Sequence, residues 1–222
     1  TDVYTHPSQG SRYSERTRLL IRKNDGYLYV AGENASGACG LGNVTSPIST
    51  LTQLIGLGNS ISNAWPLGGA YGWTVVQKTD NTIWVAGYNG FGQLGNATTT
   101  NQTSFVDVTS AWSGGGKTIK TIVAGCGGWN GADYGNGWMG ILFTDGTFKN
   151  CGVNTNNQLG DGTAVNKSTP VTPSLGSGTI TDVQSFGDGL GGTHVLKTNG
   201  DLWSFGYQPN GSAGAGSVAS IA

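Results

Sequence analysis

An all-β array of repeated sheets is what this sequence predicts, on three observations. The chain of 222 residues matches itself at four places along its length. Each match opens on an Asp-Gly, Asp-Asn or Asn-Gly pair between two short β-prone runs. Glycine supplies 40 residues, far above the roughly 7% of an ordinary protein, without a Gly-X-Y period and with only 6 prolines. Seven Trp and eight Tyr, with many Val, Ile and Leu, provide material for a core, which argues against disorder.

The four turns anchor the alignment. Asp25-Gly26 leads into Tyr27 to Asn34, Asp80-Asn81 into Thr82 to Asn89, Asp145-Gly146 into Thr147 to Asn154, and Asn199-Gly200 into Asp201 to Tyr207. The glycines in register, Gly32, Gly87, Gly152 and Gly206, stand 55, 65 and 54 residues apart. Asx-Gly pairs accept positive φ, so each reads as a type I′ hairpin turn between two antiparallel strands. Leu142-Phe143 and Phe148 flank the third turn, Val195-Leu196 and Leu202-Trp203 the fourth. Further strands are expected at Phe105 to Val108, Ile119 to Val123, Pro170-Val171 and Ile180 to Phe186. Four short strands per period describe a blade of a β-propeller, which cannot cover both faces alone and must stack on its neighbours. The blades are expected to run from about 18 to 71, 72 to 137, 138 to 191 and 192 to 222, after an N-terminal linker or attachment segment, 1 to 17.

A second motif follows each hairpin. It reads GYNGFGQLG over 87–95 and CGVNTNNQLGDG over 151–162, with a longer version over 32–42 that ends in Cys39-Gly40-Leu41-Gly42. Glycines let the chain turn tightly against the next blade, Leu94 and Leu159 are expected to plug the space between blades, and Asn and Gln side chains can satisfy backbone groups.

Together the D-G-x-ϕ-x-x-x-G hairpin and the G-x-N-x-x-G-Q-L-G stretch resemble the repeat of the regulator of chromosome condensation family. The resemblance spans about residues 18 to 216. It is specific in the second and third repeats, looser in the first and degenerate in the fourth, which reads FGYQPNGSAGAG. The family usually closes a ring of seven blades, so four copies imply part of a longer propeller, a smaller ring, or one completed by other subunits. A His that family repeats commonly carry before the hairpin is replaced by Trp73, Trp138 and Gly192. The family's founding activity is guanine-nucleotide exchange on a small GTPase at chromatin, and its loop residues find no match here.

Composition narrows the function. Charged residues are 10% of the chain, against about 25% ordinarily, and the net charge is −1. Such a surface cannot rest on phosphate neutralisation, so neither nucleic acid nor anionic membrane is an expected partner. A surface of Ser, Thr, Asn and Gln is common on secreted and virion proteins. Apolar runs are too short to span a membrane, no signal peptide is seen, and a start at Thr1 reads as processing or as part of a longer product. Cys39, Cys126 and Cys151 form no CxxC and lie far from His6 and His194, so no zinc spacing exists, and any disulfide pairing is undetermined. Cys151 stands where other repeats hold Ala31, Ala86 and Phe205, the place of a buried hydrophobe.

No nucleophile elbow, phosphate loop or Ser-His-Asp order stands out, so no catalytic residue, metal or cofactor is expected. The surplus of the longest repeat falls at 126–137, CGGWNGADYGNG. Trp129, Asp133 and Tyr134 there have the make-up of a recognition loop suited to sugar rings, with Tyr88 and Phe91 as further ligand-binding candidates. Val3-Tyr4-Thr5-His6-Pro7 resembles stretches of phage tail-fibre proteins. The expected function is a non-catalytic adhesion or receptor-binding propeller on a virion surface, a phage tail or fibre component. Its partners would be a host-surface glycan or protein receptor, other virion or filament subunits, and further copies of itself. The alternative is a secreted or cell-surface bacterial propeller acting as a structural or protein-interaction module.

Overall fold

A computed structural model of the chain describes residues 1–5, 17–68, 71–126, 137–186 and 191–207. Within them lie fifteen strands in four antiparallel sheets. The first sheet holds β1 (Asp2–Thr5), β2 (Arg18–Arg22), β3 (Leu28–Gly32) and β4 (Ile48–Gln53) in that spatial order. The second holds β5 (Ile61–Leu67), β6 (Trp73–Lys78), β7 (Ile83–Gly87) and β8 (Gln102–Asp107). The third holds β9 (Ile119–Cys126), β10 (Gly137–Phe143), β11 (Phe148–Gly152) and β12 (Lys167–Val171). The fourth holds β13 (Ile180–Phe186), β14 (Gly192–Lys197) and β15 (Leu202–Gly206). A short 3-10 turn (Ile55–Leu57) and one helical turn, α1 (Thr109–Trp112), are the helical elements among the described residues. These are β-propeller blades, with each strand paired to its neighbour in sequence.

The sheets are out of phase with the sequence periods. Each takes its first strand from before the place where a period was cut: β5 starts at Ile61, ahead of residue 72, and β9 at Ile119, ahead of 138. Likewise Asp2–Thr5, within the segment read as a linker, is a strand whose Val3 and Tyr4 face Ile21 and Leu20 of β2.

The hairpins differ from expectation in type. Positive φ falls only on the second residue of each pair, at Gly26 (82°), Asn81 (65°), Gly146 (81°) and Gly200 (88°). The strand-closing bond runs from the Lys23 N–H to the Tyr27 carbonyl (3.1 Å), with equivalents from Lys78 to Thr82, Phe143 to Thr147 and Lys197 to Asp201. Each loop therefore has three residues ending in the left-handed region, not the two of a type I′ turn. The residue before it explains the Asp/Asn preference. Asp25, Asp80, Asp145 and Asn199 each accept, on Oδ1, the N–H two residues on, at 2.9–3.1 Å. That is the local bond through which Asx side chains hold a turn.

Two compact units share the chain: Thr1–Gly90 with Thr100–Gly116, and Phe91–Thr99 with Lys117–Ala222. In the first, Leu20, Leu28 and Val30 of the first sheet form a core with Ile61, Ala64 and Val76 of the second, closed by Cys39, Leu54 and Leu57. In the second, Trp138, Leu142, Phe148 and Leu159 pack with Val183, Val195 and Phe205. Arg18 takes the register position of Trp73 and Trp138, opposite the glycine that ends the third strand. It is buried, and its guanidinium donates to the carbonyls of Leu67, Gly68 and Trp73, which replace its water.

Candidate interaction surface

Antiparallel order gives each blade two ends of different chemistry. The hairpin turns gather charge at one. Lys23 lies over the Tyr29 ring at 3.8 Å from its centroid, Lys78 over Trp84 at 4.2 Å and Lys197 over Trp203 at 4.8 Å. These are cation–π pairs at equivalent places of the first, second and fourth blades, and sequence reading missed them. Their signal is a Lys six residues ahead of an aromatic across the Asx turn. The third blade reverses the residue types, with Phe143 and Lys149 in those places, and Lys117 reaches Asp145 instead, at 2.8 Å.

That ammonium, with the Thr147 N–H, holds the Asp145 carboxyl down to about 2. A depressed carboxyl contributes stability above its unfolded value of 3.8 and loses it as pH falls through the folded one. Asp145 is largely exposed, so salt screens the effect. In Lys117→Ala, the Asp145 titration followed by NMR is expected to move up toward the ordinary carboxylate range.

The opposite end carries the connections from first to second and from third to fourth strand. Its frame repeats in every blade: the N–H groups of Glu33, Tyr88, Val153 and Tyr207 donate to the carbonyls of Thr17, Gly72, Gly137 and Gly191. Next comes a fully buried asparagine, Asn34, Asn89 or Asn154. Asn154 Oδ1 accepts the Leu159 N–H (2.9 Å), while Nδ2 donates to Asp161 Oδ1 (3.0 Å) and the Thr163 carbonyl (2.7 Å). In the first blade Asn34 Oδ1 accepts the Cys39 N–H at 2.9 Å. Cys39 thus takes the leucine's seat, and the first loop is no longer than the others, contrary to the sequence expectation of a longer version over 32–42. The positive φ angles agree: Gly37, Gly40 and Gly42 match Gly92, Gly95 and Ala97, and Asn157, Gly160 and Gly162. Leu94 and Leu159 are both fully buried.

The thiols of Cys39 and Cys151 are equally enclosed. Cys39 Sγ donates to the Glu33 carbonyl (3.3 Å) and Cys151 Sγ to that of Gln93 (3.2 Å). Burial pushes Cys39 up to about 11 and Cys151 well above its ordinary value. Both are free thiols and both are held away from the thiolate form.

Of the candidate ligand-binding residues, Tyr88 lies half-buried at this end, its ring edge-to-face with Tyr71 at 5.1 Å. Tyr71, 42% exposed, was not singled out by sequence, although it sits one residue before the Gly72 that receives the Tyr88 N–H. Phe91 packs against the core of the second unit, so part of its ring is spent on structure. Trp129, Asp133 and Tyr134 lie outside the described residues; their segment, 127–136, joins β9 to β10. Residues 6–17 make the same first-to-second connection in the first blade, an equivalence the sequence periods concealed.

One polar pair resembles half of a catalytic arrangement. His194 Nδ1 lies 2.6 Å from Ser204 Oγ, with the Phe186 ring at 4.5 Å from the imidazole. Burial lowers the His194 pKa, and Ser204 is 5% exposed, so its hydroxyl is not presented to a substrate. Among the described residues no three His, Cys, Asp or Glu side chains gather as a metal site would need.

No protein-family model matches the chain. Solved structures do. The chain is similar to human WBSCR16 at 17% identity, covering 87% of this chain and 47% of that one, with a TM-score of 0.64. It is similar to yeast RCC1 (Prp20), in a structure with Kap60, at 18% identity over 90% of this chain and 44% of that one, with a TM-score of 0.66. A second structure of Prp20p from Saccharomyces cerevisiae gives 17% identity, 90% and 45% coverage and a TM-score of 0.63. The chain therefore spans less than half the length of the proteins it matches. In fold, this chain is an array of β-propeller blades of the regulator of chromosome condensation type.

Proposed function

We propose that the chain is a non-catalytic recognition module that receives a protein or glycan at the blade end bearing the Tyr71–Tyr88 pair. The observation that carries this reading is the unequal chemistry of the two ends. Lysines shield aromatic faces at the turn end, whereas Tyr71 at the other end is 42% exposed and Tyr88 half-buried against it. Tyrosines with an apolar body and a polar tip are the residues that binding surfaces favour. Interaction is also the subject of the similar structures: Prp20 is bound to Kap60 in one, and its binding to Gsp1p and histones is the subject of another.

The finer proposal is adhesion at a virion or other extracellular surface, with the Trp129, Asp133 and Tyr134 segment contributing to the contact. Its support is compositional: a chain with 10% charged residues and a hydroxyl-rich exterior suits sugar hydroxyls better than charged partners. A glycan array probed with the parent, Tyr88→Ala and Trp129→Ala tests both levels. A stacking aromatic contributes about 2 kcal/mol or more, so each variant should bind at least roughly 30-fold more weakly while melting within a few degrees of the parent. A Trp129→Ala loss of about 3–5 kcal/mol of stability would instead make that ring a core seal. Unaltered binding by both variants would end the proposal.

A further inference from the structure

Two glycines of the second blade are there for different reasons. A Cβ added at Gly87 would stand 2.6 Å from the Gly72 carbonyl oxygen and from the Trp73 Cα, main-chain atoms that cannot give. Gly87 also has a φ of 119°, so the fold itself requires it. Gly90 has neither need. It is exposed and its φ lies outside the left-handed region. The atoms that a Cβ there would meet all belong to one side chain: Tyr88 Oη, Cζ (2.6 Å) and Cε1 (3.3 Å). Alanine would suit this backbone and would displace a ring.

The comparison with other blades shows what the glycine makes room for. In the first blade the side chain after the repeated glycine also folds back by two residues, and Glu33 Oε1 accepts the Ala35 N–H at 2.8 Å. A carboxylate beside an N–H leaves space for the Ala35 Cβ, whereas a phenol lying across the chain at Gly90 leaves none. The third blade has Thr155 in that place, after Val153, which has no ring to lay back. Among these three blades, glycine stands where an aromatic ring precedes it.

The ring so placed meets Tyr71 at 66°, with centroids 5.1 Å apart, and Tyr71 keeps 42% of its surface open. The positive charge behind this corner is already engaged. Arg18 lies against Gly72, but it is buried and donates to the carbonyls of Leu67, Gly68 and Trp73. Burial, with Tyr71 alongside, raises the Tyr88 phenol above its ordinary pKa, so at neutral pH it remains an uncharged hydroxyl that can donate. An open aromatic face with an uncharged hydroxyl at its side matches the apolar face and the hydroxyl rim of a sugar ring.

We propose that Gly90 is the positioning residue of the Tyr71–Tyr88 site: it lets the Tyr88 ring lie back on the main chain and so keeps open, beside Tyr71, a corner that takes a neutral pyranose. A side chain at position 90 turns the Tyr88 ring out of that place, and the corner is lost. The ligand class rests on the recognition reading above; the ring placement can be measured without any ligand.

Gly90→Ala is the test. It meets only the far end of one side chain, so the variant should melt within a few degrees of the parent. Nuclear Overhauser contacts between the Tyr71 and Tyr88 ring protons, expected in the parent, should be lost. On a glycan array, binding of the neutral glycans that the parent retains should fall at least about tenfold. In a Tyr88→Ala background the same change should cost nothing further, because no ring is left to displace. Ring contacts unchanged in Gly90→Ala, or full glycan binding by it, would overturn the positioning role and leave the recognition reading standing. A loss of stability in both backgrounds would overturn it too, by making Gly90 part of the fold. A parent that retains no neutral glycan would overturn the pyranose assignment, and glycan binding unaffected by Tyr88→Ala would remove the recognition reading itself.

Discussion

Leu159→Ala is expected to lower the free energy of unfolding by about 2–5 kcal/mol, the range for truncating a buried leucine. Leu159 is fully exposed to the core and not at all to water, in one cluster with Trp138, Leu142, Phe148 and Phe205. The upper half of the range is the expectation because the site has little freedom to collapse. Its own N–H is fixed on Asn154 Oδ1, its carbonyl receives Asn150 Nδ2 at 2.9 Å, and Gly160 behind it lies directly against the Phe205 ring. A cavity walled by fixed backbone stays open and keeps its cost. Denaturant unfolding of parent and variant measures the loss. An unmoved midpoint would show that the leucine does not close the space between the third and fourth sheets.

The second large effect is expected at Asn154. Replacing it by alanine removes the Nδ2 bonds to Asp161 and Thr163 and leaves the Leu159 N–H without its acceptor in a dry setting. A buried group left unsatisfied costs about 1–3 kcal/mol, and each lost bond adds about 1, so a loss on the order of 3 kcal/mol is expected for Asn154→Ala. Asn154→Asp keeps the Oδ1 acceptor but places its second oxygen against acceptors, including the Asp161 carboxylate. It should therefore be no milder at neutral pH and should recover in part as the pH is lowered. Thermal melts at two pH values distinguish this from a simple loss of volume, which would not respond to pH.

Several of these features could be read from the sequence because their causes are local. An Asx side chain reaches the N–H two residues ahead, so Asp25, Asp80, Asp145 and Asn199 announced their turns without reference to the rest of the chain. The turn type was harder: the same pairs serve two- and three-residue loops, and only the strand-closing bonds decide. Where one sheet stops and the next starts was not legible, since a periodic sequence can be cut anywhere, and the pairing of β5 with β6 or β9 with β10 is a contact the turn residues do not specify. Letter matching also made the first loop look longer than the others, whereas counting from Asn34 puts Cys39-Gly40 where Leu94-Gly95 stand. Of the aromatic pair at the connection end, Tyr88 was named from the sequence as a ligand-binding candidate. Its partner Tyr71 was missed, because it belongs to a connection that varies from blade to blade.

The phase difference between sheet and sequence period has a consequence for how such a gene changes length. The second, third and fourth sheets each draw their first strand from one period and their hairpin from the next. Loss or gain of one full period, with breakpoints at matching places, fuses the front of one copy to the back of another and regenerates a whole sheet wherever the break falls. Unequal exchange between copies therefore needs no favoured site: its products differ by complete blades, and the turn asparagines and aspartates arrive already in register.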